Sequence, residues 1–478
     1  MKKLVFLLVF LKGFFVSPAW ASGEAPEAGL GTILPLWSVI PFLGILLSIA
    51  LGPLLAPKFW HHHYPKVSAF WALILAIPFI LAYGAPALYE IKHVLLADYI
   101  PFILLLWALF TVSGGILIEG AFKGTPIGNT VLLLIGTFLA SWTGTTGASM
   151  LLIRPVLRAN AHRQNKKHIV IFFIFLVSNI GGVLTPLGDP PLFLGFLHGV
   201  PFFWTLRLIW ILLFEILLLA GAFFIMDSFL YRKEFGPTPL FSRQKGKFSI
   251  HIRGAHNFLF LIGIVSAVLM SGIFHLGEIS ILGVHVPKQN LLRDGILVVM
   301  AFLSLATTSK DIREKNEFGW GPIREVAILF AGIFITIIPP LLILKAGEYG
   351  KLAFLVQGLH APWQYFWFTG LISSFLDNAP TYLTFLNTAL GNFYPGLIES
   401  KALPLLIAHQ GIYLKAVSAG AVFMGANTYI GNAPNFMVRA IAEERGIPMP
   451  NFFGYMIYSL LFLIPSFLLV TVIFFHGM

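Results

Sequence analysis

The chain has 478 residues, 58% of them hydrophobic and 11% charged, with a mean hydropathy of +0.86; a soluble domain carries roughly 25% charged residues, so a water-solvated surface is excluded over most of the length. The net charge of +11 would raise nucleic-acid binding in a soluble chain, but here the basic residues cluster in short loops and report topology instead. The absence of cysteine excludes disulfides and thiolate chemistry.

Lys2 and Lys3 precede the apolar stretch Leu4 to Leu11, and Ala19-Trp20-Ala21 stands before Ser22. That layout predicts a secretory signal peptide over residues 1–21, with an uncleaved helix as the plain alternative. Apolar runs of about 20 residues, enough to cross a hydrocarbon core of ~30 Å, predict spans at Gly31–Leu54, Val67–Ala85 and Asp98–Ile118. His61-His62-His63 reads as a solvated basic loop rather than a metal site. Asn129–Leu157 is interrupted at Thr143-Gly144-Thr145-Thr146-Gly147, and breaks at membrane depth are tolerated only where backbone is buried in protein or lines a wet cavity. It is read as a re-entrant hairpin whose Thr143, Thr145, Thr146 and Ser149 hydroxyls either line that cavity or hold the turn. Arg154, near the end of its second arm, marks the cytoplasmic surface or meets an anion.

Spans at Ile169–His198 and Phe203–Leu230 follow, the latter carrying Arg207 and Glu215. Arg154, Arg158, Arg163, Lys166 and Lys167, and then Arg232, Lys233, Arg243, Lys245, Lys247 and Arg253, place two loops in the cytoplasm. Further spans are predicted at Asn257–His275, Gly295–Ser309 and Arg324–Leu344, then a second hairpin at Tyr365–Leu390, broken at Asp377-Asn378-Ala379-Pro380. A loop around Glu399, Ser400 and Lys401 should be external, and spans at Leu405–Arg439 and Phe452–Phe475 close the chain. The expected fold is an all-α polytopic membrane protein of two inverted repeats, 22–231 and 256–478, around a cytoplasmic loop at 232–255. Each repeat has five spans and one re-entrant hairpin, and the expected location is a bacterial inner membrane.

The run SNIGGVLTPLGDPPLF contains Gly182, Thr185, Leu187, Gly188, Asp189 and Pro191; GANTYIGNAPNF contains Gly425, Thr428, Ile430, Gly431, Asn432 and Pro434 at the same spacing. Both satisfy G-x-x-T-x-[LI]-G-[DN]-x-P, and each follows a hairpin. Glycine and proline weaken or remove helical hydrogen bonds, so each run should unwind at mid-membrane and expose carbonyls and a half-helix N-terminus. Ser178, Asn179, Thr185, Asn378, Asn427, Thr428 and Asn432 supply polar side chains at that depth, with helix capping as the plain alternative. Asp189 and Asp377 are the strongest candidates for a transported cation, because an intramembrane carboxylate is costly without a use. Asp377, before Asn378 and Pro380, also fits an N-cap.

These motifs, with the GTTGASMLLIRP and DNAPT hairpins, resemble the arsenite-efflux and NhaD-type sodium/proton antiporter group of the ion-transporter superfamily, which also holds citrate and dicarboxylate carriers. The resemblance covers the chain after the signal-like segment. It implies a homodimer in which a transport domain moves against a scaffold, with hairpin tips and broken helices forming the site. Ser178-Asn179 matches the start of the family's serine-asparagine-threonine signature, whereas Ile180 replaces its threonine and Ala426 stands where the second signature has serine.

The expected function is a secondary transporter, first a sodium/proton antiporter with Na⁺ and H⁺ as transported ions and no cofactor. The alternative is a sodium-coupled carrier of citrate or another organic anion, against which stands the lack of a mid-membrane lysine or arginine. Arsenite efflux is a lesser variant. An intramembrane aspartyl protease is disfavoured because Asp189 pairs in the repeat with Asn432, not with a second carboxylate. Expected partners are the lipid bilayer, a small cation or organic anion and a second copy of the chain, without nucleic acid.

Overall fold

In a bilayer an apolar segment satisfies its own backbone only as a helix or in a closed barrel, and helices dominate the computed structural model, which describes residues 29–120, 124–236 and 250–476. The expected signal segment and Arg243, Lys245 and Lys247 lie outside the described residues. Among the described residues, 7 helices are long and apolar enough to cross a membrane, or up to 9 if each of two bent pairs counts as one span.

The helix Pro57–Ser113 has 57 residues, about 85 Å at 1.5 Å per residue, and holds both the second and third expected spans. The backbone breaks at Gly84 (φ 58°, ψ −128°). Ser68 Oγ, before the break, donates to Ile328 O, and Tyr99 OH, after it, donates to Ala327 O. Two points about equally far from Gly84 thus reach adjacent carbonyls of one helix, Gly321–Thr336, so the arms lie side by side. His61-His62-His63 belongs to the first turns of this helix, not to a loop.

Arg324–Leu344, expected as one span, is two helices, Gly321–Thr336 and Ile338–Lys345, bent by 43° ahead of Pro339-Pro340. Leu405–Arg439 divides further: Glu399–His409 meets the next helix at 97°, and the chain breaks again before Ala433–Glu444. Glu399 therefore starts a helix instead of lying in an external loop. Its carboxylate is paired with Lys345 and with His198 Nδ1 at 2.5 Å, while His198 Nε2 stands 3.5 Å from Asp98. Two short antiparallel ribbons qualify the all-α expectation: Leu117–Gly120 with Ile250–Arg253, and Glu278–Ile281 with Val284–Pro287.

Helices between Ile40 and Ser113 pack with Asn257–Ile273, Lys288–Thr307 and Gly321–Thr336. The two interrupted segments at 126–159 and 362–393 pack with both broken runs, and their second helices pack also with Ile100–Ser113 and Ile338–Lys345 respectively. The window Lys167–Leu184 is 94% buried, against 28–50% for the other long spans. A helix apolar on all sides must be enclosed, and here the enclosure is protein, which is what an interrupted helix requires.

At one end of Ile209–Phe235, Asp227 is wholly buried with Arg163 at 2.5 Å and His168 Nε2 at 2.8 Å. Asn129 Nδ2, on the first arm of the first hairpin, donates to its other oxygen at 2.9 Å. Removing one member of a buried ion pair strands the other charge and costs about 3–5 kcal/mol, whereas removing both is much cheaper. Arg163→Met should therefore lower the unfolding temperature of the detergent-solubilised protein, and adding Asp227→Asn should recover most of the loss; equal or greater loss in the double variant would contradict this role.

Candidate functional site

Both glycine-rich runs unwind, and they do so in the same way. Asp189 and Asn432 have φ/ψ of −145°/144° and −151°/141°; Thr185 and Thr428 have −139°/158° and −138°/167°. In each run the threonine hydroxyl donates to a hairpin-arm carbonyl, Thr185 to Ser141 O and Thr428 to Ser374 O, and accepts from the amide two residues on at 3.2 Å. Ser141 and Ser374 donate in turn to the carbonyls of Gly181 and Met424. The paired glycines permit a close chain approach. A Cβ on Gly188 would stand 2.1 Å from Gly182 O, and one on Gly431 would stand 2.6 Å from Gly425 O.

The first interrupted segment consists of helices Pro126–Thr143 and Thr145–Ala159, separated at Gly144 (φ 79°); the second consists of Pro362–Phe375 and Asn378–Phe393. Their tips meet the broken runs at Asp189. Its Oδ1 accepts from Thr145 Oγ1 at 2.8 Å and Asn432 Nδ2 at 3.1 Å, and its Oδ2 accepts from Asn378 Nδ2 at 2.5 Å. Both hairpins and both broken runs thus converge on one buried carboxylate, and all three donors are neutral. Asn432 also donates to Ser178 O at 3.2 Å, Ser178 Oγ lies 2.8 Å from Ser149 Oγ, and Asn179 Nδ2 donates to Asn435 Oδ1 at 2.7 Å.

The residues expected at the site divide by what they do here. Asp189, Asn378 and Asn432 meet directly, and Ser178 and Asn179 stand beside them. Thr185 and Thr428 brace the breaks through their bonds to the hairpin arms. Asn427 Nδ2 donates to Ser374 Oγ at 2.8 Å. Asp377 caps the second hairpin's second helix by accepting from Ala379 N at 3.0 Å, and its neighbour Asn378 reaches Asp189 in its place. Asn435 was not singled out from the sequence. It lies in the same run, donates to Gly425 O and Thr428 O, and faces Leu192 in the repeat register, so the motif comparison hides it.

The side-chain oxygens Asn179 Oδ1, Asn378 Oδ1 and Asn427 Oδ1 are buried and carry no hydrogen bond within the protein. Asn179 Oδ1, Gly431 O and Asn378 Nδ2 lie 3.2, 3.3 and 3.7 Å from the point where a Cβ on Gly425 would stand. Among the described residues no three His, Asp or Glu side chains form a group that could hold a metal ion, so a cation held here would be held by one carboxylate with amide and backbone oxygens. A hard cation such as Na⁺ suits neutral oxygen donors of that kind.

A cavity opens beside this cluster, walled by the first hairpin tip (Gly144 to Gly147), the Pro186 to Pro190 turn, Leu105, Leu109, Phe110 and Phe193, and by Pro322, Ile323, Val326, Ala433 and Met437. Its one charged wall residue is Asp189. Outside the cavity wall, five residues before Pro322, Glu317 receives Arg154 Nη2 at 2.8 Å and Arg445 Nη2 at 3.2 Å. The hydrogen bond from Arg154, with the charge of Arg445 beside it, holds the Glu317 carboxyl below the usual carboxylate range.

A family model described as "Putative citrate transport" matches residues 31–475. No curated protein matches the chain. For Asp377 the local geometry alone makes a prediction. Asn caps a helix as well as Asp, while Ala costs about 1 kcal/mol. Asp377→Ala should lower the unfolding temperature and Asp377→Asn should leave it unchanged; a matching fall in both would remove capping as its contribution.

Proposed function

The chain belongs to this citrate-transport family of the ion-transporter superfamily and is a secondary transporter, and from that premise we propose that it carries citrate or a related organic anion together with a coupling cation. Family membership over residues 31–475 is the observation that carries this reading, and it favours the organic-anion alternative over the sodium/proton antiporter expected first. Asp189 supports the coupling. A substrate carboxylate brought into a cavity walled by an anion is repelled unless that anion is neutralised, and the three donors on Asp189 are neutral amides and a hydroxyl. A proton or a Na⁺ at Asp189 removes the repulsion, so anion binding depends on cation binding.

In this reading Asp189, Asn179, Asn378, Asn427 and Asn432 form the cation-linked face, with the unpartnered amide oxygens as its further ligands. Ser178 supports it through its backbone carbonyl. Thr146, which walls the cavity at the hairpin tip, presents its hydroxyl to the anion, while Thr145, whose hydroxyl and amide bind Asp189 and Gly188 O, holds the tip in place. The two broken runs, with their matching backbone angles and matching threonine and serine bonds, support the inverted-repeat arrangement of 22–231 and 256–478. Paired inverted repeats meeting at a mid-membrane site suit alternating access. The hairpins and broken runs, which pack together, then move as one body against the remaining helices.

Labelled citrate in proteoliposomes of the purified protein tests the function. Uptake driven by an inward Na⁺ or proton gradient is expected, and Asp189→Asn should remove the dependence on that gradient and cut the rate at least about tenfold, the scale of one lost charge-assisted interaction. Na⁺-driven proton movement with no carboxylate transport would return the antiporter reading in its place. Gly425→Ala, whose methyl would press on Asn179 Oδ1 at 3.2 Å, should leave the protein folded and raise the cation concentration giving half-maximal uptake; an unchanged cation dependence would remove Asn179 from the cation-linked face.

A further inference from the structure

Along the helix Thr145–Ala159, Gly147 walls the cavity and Arg154 stands seven residues further on, two turns up the same face. Along Ala433–Glu444, Met437 walls the cavity and Arg445 follows eight residues later at the helix end. Between the two arginines, from the turn that precedes the cavity residue Pro322, comes Glu317. Arg154 binds one of its oxygens through Nη2 at 2.8 Å and Nε at 3.3 Å, and Arg445 binds the other. This is one carboxylate held by two guanidinium groups, about two helical turns from wall residues of a cavity whose own wall has no cationic side chain.

Three features distinguish this from an ordinary surface ion pair. The Arg154 side chain is 5% exposed whereas that of Glu317 is 48% exposed, so the cation is built in and the anion stands at the water. Arg154 Nη1 is buried with no hydrogen-bond partner, leaving donor capacity beyond what Glu317 uses. Glu317 also adopts φ 50°, the left-handed region that disfavours any residue with a side chain. The protein thus holds its own carboxylate in a strained conformation on a buried arginine.

We propose that Arg154, assisted by Arg445, is the carboxylate-capturing subsite at the mouth of the cavity, and that Glu317 is a resident carboxylate which the anionic substrate displaces. This rests on the organic-anion reading and deepens it. It supplies the positive charge that the cavity wall lacks. A planar guanidinium matches a carboxylate in a bidentate manner that lysine cannot reproduce. The substrate exchanges with Glu317 for Arg154 and is then passed toward the hairpin tip, where Asp189 demands its cation.

Displacement and simple bracing predict opposite signs for the two partners. Citrate uptake into proteoliposomes, read as the concentration giving half-maximal rate, should rise about tenfold or more in Arg154→Gln. In Glu317→Gln it should fall severalfold, because a neutral amide competes less well for the arginine. Arg154→Lys should lie between wild type and Arg154→Gln, and monodisperse elution on size exclusion checks that each variant is folded. If Glu317 only braces Arg154, both substitutions weaken uptake alike and the subsite is overturned while organic-anion transport stands. If the wild type carries neither citrate nor succinate under any cation gradient, the functional reading fails and the subsite with it.

Discussion

An interrupted helix inside a bilayer leaves amides and carbonyls that lipid cannot satisfy, each unmet group costing several kcal/mol. That single constraint organises the molecule. Both breaks are enclosed by protein, and their loose ends are met by particular side chains: the Thr185 and Thr428 hydroxyls turn back on their own loops and tie them to hairpin arms. Asn435 takes two second-half carbonyls at once. The paired glycines matter for the same reason, since the backbone must approach itself more closely than a Cβ allows.

Once the breaks are braced, they bring one charge to the middle. The Asp189 carboxylate is surrounded by dipoles and not by a counter-ion, which is an unusual choice in a low-dielectric interior, where a buried ion is normally paired. Neutral donors hold the group in place without cancelling its charge. What remains is a group whose occupancy by a cation changes what the adjacent cavity accepts, and that is the physical content of coupling in the proposed mechanism.

Three carboxylates paired with cationic side chains join segments remote in sequence. Asp227 gathers Arg163, His168 and Asn129 around one end of Ile209–Phe235. Glu399 gathers His198 and Lys345, with Asp98 beyond them. Glu317 spans Arg154 and Arg445. The contacts around Asp189 are thus hydrogen bonds from neutral donors, which can be remade with cations or substrate, while ionic ties join segments elsewhere.

Hydropathy, charge and the repeated G-x-x-T-x-[LI]-G-[DN]-x-P pattern by themselves determined that this is a many-spanned membrane protein, that the two hairpin segments and the two glycine-rich runs are interrupted, and that Asp189 lies in a break. These are local properties: an apolar run must be helical in lipid, and closely spaced glycines and prolines break a helix, whereas isolated prolines such as Pro78 and Pro155 lie inside helices here. Tertiary structure alone decided that Asn378 rather than Asp377 reaches Asp189, that Asn435 holds two carbonyls, that Glu399 pairs with His198 and Lys345, and that Arg154 faces Glu317 from 163 residues away. Each of those depends on which helices pack side by side, and that packing is set by the summed shape and polarity of whole faces, which no single stretch of sequence contains.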